Sequence, residues 1–180
     1  RQAFLEAIAK RDGFFVPARG KATVRRRFLK SIESAPYPDR PLLPLMKPVH
    51  DRVTVEVARG CIRGCRFCQA GIIYRPYRER SQETVKDLLR GSLACTGYEE
   101  LSLASLSTGD YSDIEPLVGE LIKTYRESRV SVSLPSLRVG TLTPAMIEAI
   151  AGTRKTGFTL APEAGTERLR RVINKPVSDR

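Results

Sequence analysis

Val53-Thr54-Val55-Glu56-Val57-Ala58-Arg59-Gly60-Cys61-Ile62-Arg63-Gly64-Cys65-Arg66-Phe67-Cys68 runs a strand pattern straight into a set of thiols. Val53 to Val57 alternates apolar and polar residues, the period of a strand with one buried face. The loop that leaves it carries three cysteines at i, i+4 and i+7, with Phe67 just before the last. Iron–sulfur cubes normally take four cysteine thiolates. A loop that offers three leaves one iron open to a reactive ligand, an arrangement for catalysis rather than for electron carriage alone. Structural zinc wants four ligands, usually in separated pairs. Here the fourth would have to be His50, the only histidine, or the remote Cys95. A disulfide framework suits this chain poorly, because 180 residues with 41% hydrophobic content need no staples.

Outward from that stretch the pattern repeats. Ser81 is placed to cap a helix with Val85, Leu88, Leu89 and Ser92 on one face, stopped near Gly97. Leu101–Ala104 reads as a second strand, followed by a helix through Leu117, Val118, Leu121, Ile122 and Tyr125 with Pro116 in its first turn. Val130–Leu134 reads as a third strand. Thr143-Pro144 opens a third helix through Ile147 and Ile150, closed by Gly152. Phe158–Leu160 reads as a fourth strand, and a fourth helix follows with Leu169, Val172 and Ile173 facing inward. Four βα units in succession predict a parallel sheet with right-handed crossovers, either doubly wound or an incomplete barrel. Upstream, Phe4, Leu5 and Ile8 mark a short helix in residues 2–10, ended by Gly13. Residues 14–48 are rich in Pro and Arg and read as a linker or wrapping segment.

Composition narrows the classes. The core is sufficient to exclude a disordered polymer. No apolar run approaches the ~20 residues that span a bilayer. No signal peptide pattern opens the chain either, so a cytoplasmic location is expected, which suits reduced thiols. The chain starts at Arg1 and stops at Arg180, and reads as a piece of a larger protein. A net charge of +11 makes nucleic acid a candidate partner. Most of the arginines are scattered, however. Arg25-Arg26-Arg27 is the one run, and it lacks a set of aromatic residues for stacking bases.

In parallel α/β barrels, chemistry gathers on the loops leaving the C-terminal ends of strands. The cysteine loop leaves the first strand, and Ser105–Asp110 the second. Pro135–Arg138 leaves the third, and Ala161–Thr166 the fourth. Arg138 could fork onto a carboxylate, and Glu163 could accept from a diol or pair with a cation. Two residues read as structural. His50 is expected to bond to backbone, and Cys95 to be a small buried hydrophobe.

The CxxxCxΦC spacing of Cys61, Cys65, Phe67 and Cys68 resembles the signature of the radical S-adenosylmethionine (SAM) superfamily. Val49-His50-Asp51-Arg52, Arg59-Gly60-Cys61, Cys65–Gly71, Tyr74-Arg75-Pro76, Arg78-Glu79-Arg80 and Glu163–Lys175 together resemble uncharacterised bacterial members that carry an upstream cobalamin-binding domain. The resemblance implies a partial (β/α)6 TIM-like barrel, of which this chain holds the first four βα units after an N-terminal helix and Pro/Arg-rich connector. It implies that residues 1–48 are the tail of an upstream cobalamin-type domain plus connector, and that 49–180 are the radical SAM core, truncated at its C-terminus. Cys61, Cys65 and Cys68 would ligate a [4Fe–4S] cluster whose open iron chelates SAM, with Phe67 at the adenine. Ser107, Thr108 and Asp110 stand where the family has a Gly-Gly-Glu motif for the SAM amino group, which this chain lacks, and would replace it through hydroxyl, carboxylate or backbone groups. Arg138 would hold the SAM carboxylate, and Glu163 the ribose diol or a substrate. Cobalamin would come through a domain not present here, since the Asp-x-His-x-x-Gly loop that ligates it in many such domains is missing.

The resemblance therefore implies an enzyme that cleaves SAM reductively to a 5′-deoxyadenosyl radical and modifies an unknown substrate, with RNA or a ribosomal component as candidates. A flavodoxin- or ferredoxin-like protein would supply electrons. A barrel stopping at four units would leave one flank open to water, so weak or uncoupled SAM cleavage is expected. The alternative is a zinc- or cluster-stabilised basic module that binds RNA or a protein without catalysis.

Overall fold

The sheet grows in sequence order. In a computed structural model describing residues 1–20, 22–152 and 157–179, the chain opens with α1 (Gln2–Ile8) and an irregular stretch with one 3-10 turn at Pro17–Arg19. Then come β1 (Val53–Glu56), β2 (Ala58–Arg59), α2 (Ala70–Ile73), β3 (Arg78–Glu79), α3 (Gln82–Thr96) and β4 (Glu100–Ala104). After them follow α4 (Ile114–Tyr125), β5 (Ser131–Ser133), α5 (Pro144–Ala151) and α6 (Glu167–Val172). β1, β4 and β5 form a parallel sheet in the order β1-β4-β5, with Val55 opposite Leu103 and Leu101 opposite Val132. The protein is thus α/β, with helices returning the chain between parallel strands.

Strand alternation separates the two faces of the sheet. Val53, Val55, Leu101, Leu103 and Val132 share one face and are buried under Val85 and Leu89 of α3, Leu117, Val118 and Leu121 of α4, and Met146 and Ile150 of α5. Each such side chain contributes about 1.5–3 kcal/mol by leaving water. The other face is polar. Arg52, just before β1, ion-pairs with Glu100 at 2.6 Å and donates to Ser133 Oγ at 3.1 Å.

The expected caps are in place. Ser81 accepts from Thr84 N at 3.2 Å, and Gly97 closes α3 in the left-handed region at φ 68°. Thr143 caps α5 ahead of Pro144, accepting from Met146 N at 3.2 Å. By contact the described chain divides into Arg1–Lys30 and Ser31–Arg180, so part of the Pro-rich connector belongs with the sheet. Ile32 is fully buried there.

Four readings are corrected. Phe158–Leu160 is not a full strand. A single parallel bridge joins Leu160 to Leu137 just beyond β5, and Pro162 soon after has no N–H to extend the pairing. In α6, Leu169 and Val172 are 41% and 49% exposed, and Arg170 is the buried residue. Arg170 donates to the carbonyls of Val177 (2.7 Å) and Ala164 (3.1 Å) and ion-pairs with Asp179. The ground beneath α6 is therefore backbone carbonyl, which needs a donor rather than a leucine. Cys95 is exposed, because the buried stripe of α3 is Val85, Leu89 and Ser92 and Cys95 sits at its edge in the final turn. His50 bonds through Nδ1 to the Arg52 guanidinium at 2.8 Å rather than to backbone. Among the described residues, no helix is long and apolar enough to cross a membrane.

Candidate functional site

The cysteine loop emerges at the carboxyl edge of the sheet, where a short antiparallel pair that the sequence pattern did not announce closes it. β2 pairs with β3, Ala58 opposite Glu79 and Arg59 opposite Arg78, and this gathers residues 60–77 into one closed excursion. Two glycines make the excursion tight. Gly60 has φ 98°, and a Cβ there would lie 2.6 Å from Tyr74 O and 2.9 Å from Pro76 O. Gly71, buried in the short α2, would bring a Cβ within 2.5 Å of Arg63 O. Only glycine permits the outgoing and returning chain to pack backbone on backbone here.

Cys61, Cys65 and Cys68 are all free thiols, half-buried on this loop, with Cys68 N turning back onto Cys65 O at 3.1 Å. Among the described residues, no three His, Cys, Asp or Glu side chains gather as a site for one metal ion. A cube differs from a single ion in this respect, since its thiolates bind separate irons and need not converge on a point. The donor set fits such a group: three thiols on one loop, cationic neighbours, and no fourth cysteine beside them. Arg63 N approaches Cys61 Sγ at 3.4 Å, and Arg138 Nη1 approaches Cys65 Sγ at 3.7 Å. Arg138, from the loop beyond β5, is thereby brought to the thiols. Phe67 is 55% exposed beside Cys68, its ring turned to solvent.

The loop after β4 meets the cysteine loop through an ion pair. The Arg63 guanidinium forks onto Asp110, with Nε to Oδ2 at 2.8 Å and Nη2 to Oδ1, while Ser107 Oγ donates to Asp110 Oδ2 at 2.8 Å. Burial works against the Asp110 charge, but Arg63, Ser107 and the field of Arg138 outweigh it and hold the carboxyl below its usual range. Thr108 is fully buried. Its hydroxyl donates to Leu103 O at 3.3 Å and its N–H to Ser136 O at 3.2 Å, which ties the loops beyond β4 and β5 together. Tyr77 donates to Glu79 Oε1 at 2.6 Å and lies 3.2 Å from Asp110 O; burial, then Glu79, pushes its phenol far above the usual range and keeps it a donor.

Glu163 stands apart from the thiols' immediate contacts. It accepts from Lys175 Nζ at 3.0 Å across the base of α6. Beside the loop, a cavity of about 340 Å3 is lined by Glu56, Ala58, Arg59, Tyr74, Ala104 and Ser105, among others. Arg59 and Glu56 form a two-pronged ion pair on its wall, at 2.7 and 2.6 Å. Sequence reading missed Arg63 and the glycine cradle. The Gly60 that follows the strand and the Gly71 just past the last thiol were the available signals.

Comparison with known proteins bears on this arrangement. The family model of the Radical SAM superfamily matches residues 55–180. An uncharacterised protein of Methanocaldococcus jannaschii is 35% identical over 126 residues, 70% of this chain and 27% of that protein. A tRNA-2-methylthio-N(6)-dimethylallyladenosine synthase of Staphylococcus epidermidis is 27% identical over 144 residues, 74% of this chain and 27% of the relative. A threonylcarbamoyladenosine tRNA methylthiotransferase of Treponema pallidum is 30% identical over 130 residues, with 70% and 27% covered. The chain thus spans about a quarter of the length of these relatives.

Proposed function

The chain belongs to the radical SAM superfamily, and from that premise we propose that residues 49–180 are the core of an enzyme that holds a [4Fe–4S] cluster on Cys61, Cys65 and Cys68 and binds SAM at the iron they leave open. The observation that carries this reading is the set of three free thiols on one glycine-cradled loop at the carboxyl edge of a parallel sheet. When bound, the cluster supplies the electron that cleaves SAM to methionine and a 5′-deoxyadenosyl radical.

The chain's own residues orient the reactants. Arg138, 3.7 Å from Cys65 Sγ, is assigned to the SAM carboxylate, which its planar fork suits. The backbone at Phe67 is assigned to the adenine. Ser107 and the buried Thr108 are assigned to the shelf beneath the SAM amino group, with the Arg63–Asp110 pair setting its height. Glu163 is assigned to the ribose diol or substrate, with Lys175 holding it meanwhile.

A partial barrel is the proposed architecture. Its support is that β4, β5 and the Leu160 bridge add successively on one side of β1, whereas a doubly wound sheet reverses direction. The polar second face of the sheet is also what a barrel interior around polar ligands requires. RNA is the proposed substrate class, supported by the net charge of +11 and by two relatives named for tRNA modification. A flavodoxin- or ferredoxin-like donor is the proposed reductant. Residues 1–48 are proposed as the tail of a cobalamin-type domain plus connector. They contain no histidine that could serve as cobalamin's axial ligand.

The test is anaerobic loading with iron and sulfide, followed by EPR of the reduced protein with and without SAM. A [4Fe–4S]⁺ signal whose shape changes with SAM is the expected result. Cys68→Ala should lose that response while circular dichroism shows the fold intact. Tight zinc in place of iron, with the fold lost in Cys68→Ala, would return the thiols to a structural role.

A further inference from the structure

The far end of the described chain closes on the cysteine loop. α6 ends in a Schellman motif: Asn174 N donates to Arg171 O at 3.0 Å and Lys175 N to Arg170 O at 2.8 Å, with Asn174 in the left-handed region at φ 56°. Glycine is the usual residue at that position, because it enters the left-handed region without strain. Asparagine tolerates it, and here it also brings a side chain. Asn174 Nδ2 donates to Gly64 O at 2.8 Å, across 110 residues, at the tip of the loop between Cys61 and Cys65.

Two neighbouring contacts close on the same tip. Arg66 N donates to Ile173 O at 2.9 Å, and the Arg66 guanidinium reaches Val172 O. Gly64 is the residue that allows this approach, since a Cβ there would sit 3.1 Å from Asn174 Nδ2. The backbone on both sides of Cys65 is therefore pinned by the cap of α6. The same cap carries Lys175, whose ammonium holds Glu163.

We propose that Asn174 is a positioning residue for the cysteine loop: its amide, presented by the α6 cap, fixes Gly64 and so the placement of Cys65 relative to Cys61 and Cys68. The proposal rests on the reading of the thiols as cluster ligands. Asn174 touches no thiol and reacts with nothing. It sets where one thiol stands before any cluster is bound, and it couples the end of α6 to the loop.

Asn174→Gly removes the amide while keeping the left-handed backbone free of strain. Asn174→Asp keeps the shape but sets an acceptor against the Gly64 carbonyl. Two measurements apply to both variants. Hydrogen exchange of the cluster-free chain should rise roughly tenfold in residues 61–69, with exchange in β1 and β4 unchanged. After iron and sulfide loading, the EPR of the reduced protein should show a weakened or lost response to SAM. Exchange and EPR equal to the parent's in both variants would overturn the proposal. So would global unfolding of both, because Asn174 is exposed and a local clamp predicts a local effect. A parent chain that takes up no iron would sink the cluster reading instead, and the exchange measurement would still decide whether Asn174 holds the loop.

Discussion

Asp110 shows how much of this site is decided by single contacts. Its side chain is only 4% exposed, and its charge is satisfied by the fork from Arg63 and the hydroxyl of Ser107. A carboxylate in that position is stable because charge-assisted bonds replace the water it lost. Asp110→Asn keeps the volume but removes the charge facing Arg63. It should cost about 2 kcal/mol, read as a lower urea midpoint for the cluster-free chain. An unchanged midpoint would mean that the Arg63–Asp110 pair adds no net stability to the cluster-free chain. The residue in the signature loop that reaches Asp110 is Arg63, at one of the unspecified positions between cysteines, which is why spacing rules did not single it out.

At the scale of elements, the start of α3 is held from outside itself. Ser81 caps the helix, and Glu33 of the connector in turn accepts from Ser81 N at 2.8 Å, from Ser81 Oγ at 2.6 Å and from Thr84 Oγ1. The Ser81 hydroxyl, then Thr84 and the Ser81 N–H, draw the Glu33 carboxyl below its ordinary value of 4.5 against the smaller cost of burial, with Arg80 assisting. A lowered folded pKa means stabilisation that is fully present above the unfolded value. It is lost as pH falls through the folded one. Glu33→Gln should therefore be less stable than the parent at pH 7, and the gap should close on acidification through the carboxylate range. Denaturant midpoints across that range check it, and a gap independent of pH would assign the effect to shape instead of charge. The helix itself was legible from Ser81, its apolar stripe and Gly97. Glu33 was not, because 48 residues separate it from its partners.

For the whole molecule, the connector is part of the architecture. Ile32 is fully buried, Tyr37 OH donates to Thr54 O at 2.7 Å, and the buried Arg80 donates to the carbonyls of Glu33 (3.1 Å), Ala35 (3.4 Å) and Glu56 (3.1 Å). Three backbone acceptors hold the Arg80 charge in a place where an unbonded one would be costly. A chain beginning at residue 38 should thus be less stable than one beginning at residue 31. Burial of Ile32 alone suggests a difference of at least about 2 kcal/mol, measured by thermal or urea unfolding of the two. Equal stabilities would show that Ser31–Tyr37 merely rests on the sheet.

By itself the sequence determined the α/β class, three of the strands, the capped helices and the thiol loop, because each is written in local pattern: alternation, 3.6-residue stripes, cap residues and cysteine spacing. Only the tertiary structure decided the rest. It reduced Phe158–Leu160 to a bridge, turned Arg170 inward, exposed Cys95, folded Ser31–Tyr37 onto the sheet and brought Asp110 and Asn174 to the cysteine loop. The last of these depends on pairings 47 and 110 residues apart, Arg63 with Asp110 and Asn174 with Gly64. A polar side chain satisfies a distant carbonyl or charge only once the sheet has placed them together, and no local period records that.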